Sequence, residues 1–337
     1  MSNNSSRQRL HWVDLLKGIL IILLLIHHFP QAAKQNEIGI ANFSFVYCWQ
    51  DIYACFFMQA FFFVSGFCSS FSLSLKEFVI KLIKQLIIPF VFFEFFSCAV
   101  SCWLESNLSL YSIYECWFNN NGSHLWFLNA LIFSKLTIYL ITQYISKSIS
   151  FLYLISIILL LVGIVLNQLD YGTNFFYIRQ SFTAVFFVAL GYHLKNVPNL
   201  FNFLLPFGYL SPPFLLLLYM THLPIPMLTA AIGFGIKGVP VFFFLSISGT
   251  MAIVLLCKKI VSNQILEFFG RNSLVVYCTH FIPLALITKM LYTYIEPNSA
   301  LSNILFVIAI YILEIASLYM LILLFSKTPF KYVVGHY

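Results

Sequence analysis

The sequence predicts an all-α, polytopic integral membrane protein: a helical bundle of about ten transmembrane helices, forming a single domain over residues 1–337. Composition is the first observation, because 61% of the residues are hydrophobic and only 9% are charged, whereas soluble domains carry about 25% charged residues. A mean hydropathy of +0.91 agrees. The second observation is a set of long unbroken apolar runs, such as Ile19–Ile26, Phe151–Leu166 and Val275–Ile287. They lack the alternation of a membrane barrel and satisfy their backbone groups only as helices. Soluble, disordered, fibrous and nucleic-acid-binding classes are excluded.

Each predicted span is a stretch of roughly 20 apolar residues, the length that crosses the hydrocarbon core as a helix. Between the seventh and eighth spans, residues 222–237 contain Pro224, Pro226, Gly233 and Gly235. These residues interrupt the helix and predict a re-entrant or interfacial piece, since irregular backbone at that depth must be buried in protein or line a cavity. The predicted spans, in chain order, are 15–33, 53–73, 79–103, 125–145, 151–168, 175–194, 201–220, 238–257, 271–293 and 301–325.

The distribution of basic residues predicts the orientation of the bundle. With the N-terminus inside, thirteen of the 18 basic residues fall in inner segments and four in outer ones, while Lys135 lies inside a span. The outer loop 104–124 contains Glu105 and Glu115 and no Lys or Arg. Because cytoplasmic segments carry the excess of Lys and Arg, we expect both termini in the cytoplasm and the protein in the inner or plasma membrane of the cell.

The first span concentrates polar residues that are costly in a membrane and that mark a functional site by default. Lys17 and His28 are eleven residues apart, about 16.5 Å along a helix at 1.5 Å per residue. Eleven steps make three turns plus about 20°, so both side chains share one face. Asp14, three residues before Lys17, is placed to pair with it and is a further site candidate. Snorkelling of Lys17 to the inner interface is the alternative interpretation.

The stretch from Asp14 to His28 resembles the opening of the membrane acyltransferase-3 family, in particular its fucose 4-O-acetylase-like branch. The family's first-helix motif is a basic residue, ten residues and then His, which Lys17 and His28 match. The resemblance therefore assigns the catalytic position to His28 rather than to His27.

Other stretches resemble the family's later motifs in the family's order, so the resemblance covers nearly the whole chain. The chain departs from the pattern at Leu131, where many relatives carry Glu, and at Phe56–Gln59, which lacks the His and Pro of the branch. The matching stretches are Phe61–Phe67, Lys81–Lys84 followed by Pro89, His124–Leu128, and Gly270–Leu274 followed by Tyr277 and His280.

The resemblance implies an O-acetyltransferase that moves an acetyl group from acetyl-CoA to a hydroxyl of a cell-envelope carbohydrate or lipid-linked glycan. None of the eight cysteines forms a CxxC pair, so no metal site is expected. A neutral imidazole suits the general base, so we expect His28 to take the hydroxyl proton. Lys17, Lys81 and Lys84 at the cytoplasmic edge suit the phosphates of the polyanionic donor. Positive-inside anchoring is the alternative role for Lys81 and Lys84.

Five further residues are candidates for the site. Ser65, followed by glycine, suits either the site or a close helix contact. Trp126 suits either an aromatic belt or a wall on the acceptor side. Asn272 and Ser273 are expected to cap the ninth span, and His280 lies near the middle of that span, where an imidazole is costly without a role.

A transporter or flippase for a glycan or small solute is the alternative function, because polar groups inside a helical bundle also suit transport. Transporters commonly have paired interrupted segments in two halves, whereas the one evident interruption here is at 222–237. The expected partners are the lipid bilayer and the carbohydrate acceptor, and no nucleic acid.

Overall fold

The computed structural model describes residues 10–35, 52–104, 107–118, 125–168, 177–221, 238–295, 297, 299–327 and 329–334. Within these residues the regular structure is helical and contains no strand, which confirms the predicted all-α class. The helices are α1 (His11–Gln35), α2 (Phe57–Cys68), α3 (Leu75–Leu82), α4 (Ile88–Leu104), α5 (Leu110–Phe118), α6 (Trp126–Leu140), α7 (Ile149–Gln168), α8 (Ile178–Asn196), α9 (Pro198–Leu204), α10 (Ser211–Met220), α11 (Val239–Lys259), α12 (Gln264–Arg271), α13 (Ser273–Thr279), α14 (Phe281–Tyr294) and α15 (Ala300–Lys327).

Two π-helical segments continue neighbouring α-helices and so form longer helical stretches. Ile83–Ile87 joins α3 to α4, and Ile141–Ile145 extends α6. Among the described residues, seven helical stretches are long and apolar enough to cross a membrane, or eight if the bent pair α13–α14 is one span. The protein is therefore a multi-pass membrane protein.

The predicted count of ten spans is not confirmed, for three physical reasons. The second predicted span contains a helix of only 12 residues, α2. The sixth, α8, carries polar residues such as Arg179 and Lys195 and does not qualify as an apolar span. The ninth is bent by 49° between Thr279 and Phe281. The predicted re-entrant piece at 222–237 lies outside the described residues, and α5 forms within the segment predicted as an outer loop.

Helix α1 crosses α12 at backbone contact distance, and glycines make this possible. A Cβ at Gly18 would overlap the carbonyl oxygen of Leu266, and a Cβ at Gly270 would overlap that of Asp14. Small residues at such crossings let membrane helices approach closely. Because Lys17 precedes Gly18 and Arg271 follows Gly270, the crossing brings two basic residues to one end of the bundle.

A second close crossing joins α2 to α8. A Cβ at Gly66 would overlap the carbonyl oxygen of Val188, and a Cβ at Gly191 would overlap that of Phe63. The predicted close helix contact at Ser65 and its following glycine is confirmed, since Gly66 itself makes the approach. The crossing fixes α2, and with it Ser65, against the rest of the bundle.

Candidate active site

A cavity of about 440 Å³ lies where α1, α2, α3, α6, α12 and α13 converge. Each helix contributes polar groups to its wall, while aromatic and aliphatic side chains complete the lining. The polar lining residues are Lys17, Ser65, Cys68, Ser69, Ser70, Lys81, Gln85, Lys135, Arg271, Ser273 and Tyr277. The structure thus brings together four of the predicted site residues, namely Lys17, Ser65, Lys81 and Ser273.

Four cationic side chains, those of Lys17, Lys81, Lys135 and Arg271, line this cavity. No acidic side chain is among the described residues of its wall. Nη1 of Arg271 lies 3.8 Å from the carboxylate of Glu267, a residue that is not part of the wall. Like charges gathered around one small volume repel one another, so an anionic ligand there gains from every one of them.

Two of these cations, Lys135 and Arg271, had no assigned site role from the sequence. Lys135 is a charged residue inside an apolar helix, α6, and that position was the signal that could have identified it. Arg271 follows the crossing glycine of α12, and only the fold shows that it lines the same cavity as Lys17. The predicted Lys84 is exposed and is not part of the cavity wall.

His28 stands beside a second imidazole from a distant part of the chain. Its ring centroid is 4.9 Å from that of His280, with the ring planes 48° apart, and 5.5 Å from that of His27. His27 turns instead toward Phe57 and Tyr53, at 5.1 and 6.2 Å. The two predicted histidines, His28 and His280, therefore form one pair, with His27 on its flank.

His280 is held at the break between α13 and α14, and it is 1% exposed. Its Nδ1 lies 2.8 Å from the carbonyl oxygen of Tyr277. A carbonyl only accepts, so Nδ1 carries the proton and, in the neutral ring, Nε2 keeps its lone pair. No described residue forms a hydrogen bond with that Nε2. The bend between the two helices thus places a buried imidazole nitrogen with an available lone pair next to His28.

Aromatic rings separate the cationic cavity from the histidine pair. Tyr277 lines the cavity, and its ring centroid is 6.0 Å from that of His280. Phe61 and Phe127 line the same wall, with centroids 5.6 Å apart, and Phe127 is 5.3 Å from Tyr277. The backbone N–H of Phe127 donates to the Tyr277 hydroxyl at 3.2 Å, which ties the start of α6 to α13.

Helix α1 connects the two parts of the site without interruption. It is helical from His11 to Gln35, so the predicted separation of about 16.5 Å between Lys17 and His28 applies along its axis. Helix α1 thus carries Lys17 of the cavity wall near its beginning and the imidazole of His28 three turns further along. This arrangement suits an elongated ligand with anionic groups at one end and a reacting group at the other.

The remaining candidates lie outside the cavity wall. Asp14 is buried at the crossing, where its carbonyl faces Gly270. Trp126 is the first residue of α6 and is half-buried, with its ring 6.2 Å from that of Phe62. Neither residue lines the cavity.

The predicted capping of the ninth span by the side chains of Asn272 and Ser273 is wrong, because Ser273 is already the first residue of α13 and no side-chain hydrogen bond caps that helix. Asn272 occupies the position before α13, but its side chain makes no hydrogen bond to that helix. Its Nδ2 instead donates to the carbonyl oxygen of Phe268 at 2.8 Å. The asparagine therefore satisfies the end of α12, because that helix also leaves unpaired carbonyls at its last turn.

A family model described as an acyltransferase domain matches residues 10–323, which includes every site residue described above. No curated protein and no solved structure matches the chain.

Proposed function

The chain belongs to the membrane acyltransferase-3 family and is an acyltransferase, and from this premise we propose that it moves an acetyl group from acetyl-CoA to a hydroxyl of a cell-envelope carbohydrate. The acceptor is an exopolysaccharide, an O-antigen or a similar glycan, free or lipid-linked. The observation that carries the proposal is the cationic cavity joined through Tyr277 and His280 to His28. Family membership favours this enzyme over a transporter.

The donor's anionic end is proposed to occupy the cavity beside Lys17 and Lys81. CoA combines several phosphates with a long pantetheine arm that ends in the thioester. With the phosphates held by the lysines, the arm follows α1 past the aromatic rings, and the thioester reaches His28 about 16.5 Å further along. The role predicted for Lys84 in donor binding rests on the sequence motif alone.

His28 is proposed as the general base. It takes the proton of the acceptor hydroxyl as that oxygen attacks the carbonyl carbon of the thioester. When the carbon–sulfur bond breaks, the imidazolium returns the proton to the departing thiolate, so the products are the acetyl ester and free CoA. A histidine suits both steps, because its ordinary pKa lies close to neutral pH.

The bundle is proposed to lie in the inner or plasma membrane, with its termini and the donor in the cytoplasm. Thirteen basic residues in the predicted inner segments support this orientation. The acceptor then meets the acetyl group on the far side of the aromatic rings, near the histidine pair.

Mass spectrometry of cell-envelope glycans tests the proposal. Cells that carry the gene should contain a glycan heavier by one acetyl group per modified residue, and cells that lack it should not. Complementation with the native chain should restore the acetyl ester, whereas complementation with His28→Asn should not. Identical glycan masses with and without the gene would overturn the proposal. Restoration by the His28→Asn chain would overturn the role of His28.

A further inference from the structure

We propose that Lys135 and Arg271 complete a four-cation site, with Lys17 and Lys81, that selects a donor carrying several phosphates over one carrying a single phosphate. The inference rests on the proposed function and deepens it, because it names two further binding residues and the feature of the donor that they recognise.

Lys135 is the most informative member of the set, because it lies where a lysine is costly. It sits within an apolar span, half-buried, and lines the cavity. Ten residues separate it from Ile145 at the end of the helical stretch, about 15 Å along the axis, which is longer than a lysine side chain. The side chain does not reach that end of the helix, so the ammonium group stays at the cavity wall, where an anionic partner stabilises it.

The charged neighbours of Lys135 increase the benefit of an anionic partner. Its charge is acted on by those of Lys81 and Lys17, both of the same sign. The described residues of the wall supply no carboxylate to offset them. A polyanion in the cavity offsets this repulsion and adds attraction to each ammonium group.

Arg271 adds the donor geometry that lysine lacks. Its Nη1 is 3.8 Å from the Glu267 carboxylate, beyond hydrogen-bond distance, so that contact leaves the guanidinium N–H groups available. A guanidinium binds phosphate through two parallel N–H groups, whereas an ammonium acts as a point charge. The cavity therefore offers three lysine ammonium groups, which act as point charges, and one guanidinium, which can form paired hydrogen bonds.

The number of charges indicates the donor class. CoA carries a diphosphate and a 3′-phosphate, together about −4, since a phosphate monoester alone contributes about −1.5 to −2 at neutral pH. Four cations match that charge. A thioester of phosphopantetheine on a carrier protein has a single phosphodiester and leaves most of them unmatched. The cavity is thus built for the free nucleotide thioester.

Steady-state kinetics with three donors tests this specificity. Purified protein in non-ionic detergent is assayed with acetyl-CoA, acetyl-3′-dephospho-CoA and acetyl-phosphopantetheine. The native chain should show KM rising in that order. Lys135→Gln and Arg271→Gln should each raise KM for acetyl-CoA by about 10- to 100-fold, the value of one hydrogen bond to a charged group. The kcat should change little, and the preference among donors should shrink.

Two variants separate this effect from a fault in folding. Lys135→Arg keeps the charge and should keep KM near that of the native chain. Lys76→Gln removes an exposed lysine of α3 that lies outside the cavity, and it should change neither KM nor donor preference. Unchanged KM and preference in Lys135→Gln would overturn the inference while leaving the proposed function intact.

Equilibrium binding distinguishes a failure of the proposed function from a failure of the four-cation site. It also distinguishes CoA from anionic lipid as the source of the bound phosphate. If the native chain turns over no acetyl-CoA, the proposed function fails, and calorimetry with CoA and phosphopantetheine still tests the site. Equal affinity for the two compounds, in native and Lys135→Gln chains alike, would overturn it. In nanodiscs, anionic lipid should not compete with CoA. Displacement of CoA by anionic lipid headgroups, lost in Lys135→Gln, would assign the cavity to lipid instead.

Discussion

Gly270→Ala tests whether the crossing of α1 and α12 sets the geometry of the cationic cavity. The added Cβ would overlap the carbonyl oxygen of Asp14 and lie 2.9 Å from the backbone nitrogen of Gly18. Both neighbours are backbone atoms and cannot rotate away, so α12 must move by on the order of 1 Å to restore ordinary contact distances. Overpacking of this kind costs about 1–3 kcal/mol of stability.

The functional consequence follows from the sequence position of the glycine. Arg271 is the next residue, so it moves with α12, while Lys17 stays on α1. We expect the affinity for CoA to fall by about tenfold, which corresponds to about 1.4 kcal/mol. The assay is thermal unfolding of the purified protein together with calorimetric binding of CoA.

Gly191→Ala is the matched control for this prediction. Its Cβ would overlap the carbonyl oxygen of Phe63 and lie 2.9 Å from the nitrogen of Phe67, so a similar loss of stability is expected. Helix α2, which this change displaces from α8, contributes Ser65 to the cavity wall, but neither α2 nor α8 carries any of the four cations of the cavity. CoA binding should therefore weaken less than in Gly270→Ala. Native stability and native CoA affinity in Gly270→Ala would show that the crossing is not as close as described and does not set the cavity.

Two further changes test the tyrosine that joins the cavity to the histidine pair and the acid at the edge of the bundle. Tyr277→Phe removes the acceptor of the Phe127 N–H and should cost about 1–3 kcal/mol in thermal unfolding, since a buried donor loses its partner; unfolding at the native temperature would contradict that bond. Partial burial opposes ionisation of Glu267, outside the spans, but hydrogen bonds from Ser262 and the Asn263 N–H outweigh it and hold its pKa below the ordinary value of 4.5. The ionised Glu267 carboxylate therefore adds stability above pH 4.5, and this stability is lost as the pH falls below that value. Unfolding temperatures measured from pH 6 to pH 3 should fall less in Glu267→Gln than in the native chain. Parallel profiles of unfolding temperature against pH would contradict a lowered pKa of Glu267.

The first helix shows how far the sequence could predict the site. Helical register alone placed Lys17 and His28 on one face, and an unbroken helix from His11 to Gln35 is what the structure has. The period of the α-helix determines which residues share a face, and Lys17 and His28 both belong to α1. The pairing of His28 with His280 needed the fold, since 252 positions separate the two residues in the chain.

The cationic cavity shows what local patterns cannot supply. Lys135 was identifiable as an unusual charge within an apolar span, but its ligand-facing position depends on which helices surround it. Arg271 reaches the cavity through a glycine crossing that no periodicity predicts. The count of ten spans was limited in the same way, since a 12-residue helix such as α2 is placed by its packing against α8 rather than by hydrophobic length.

Acetyl-CoA turnover by purified protein carrying His28→Asn is the most direct measurement. The native chain should release CoA from labelled acetyl-CoA in the presence of a glycan acceptor, and His28→Asn should slow kcat by about 10²- to 10⁴-fold with KM for the donor unchanged. His27→Asn, which alters the neighbouring ring that faces Phe57, should retain most of the rate. Full activity in His28→Asn, or no consumption of acetyl-CoA by the native chain, would contradict the assignment of this site as an acetyltransferase centre.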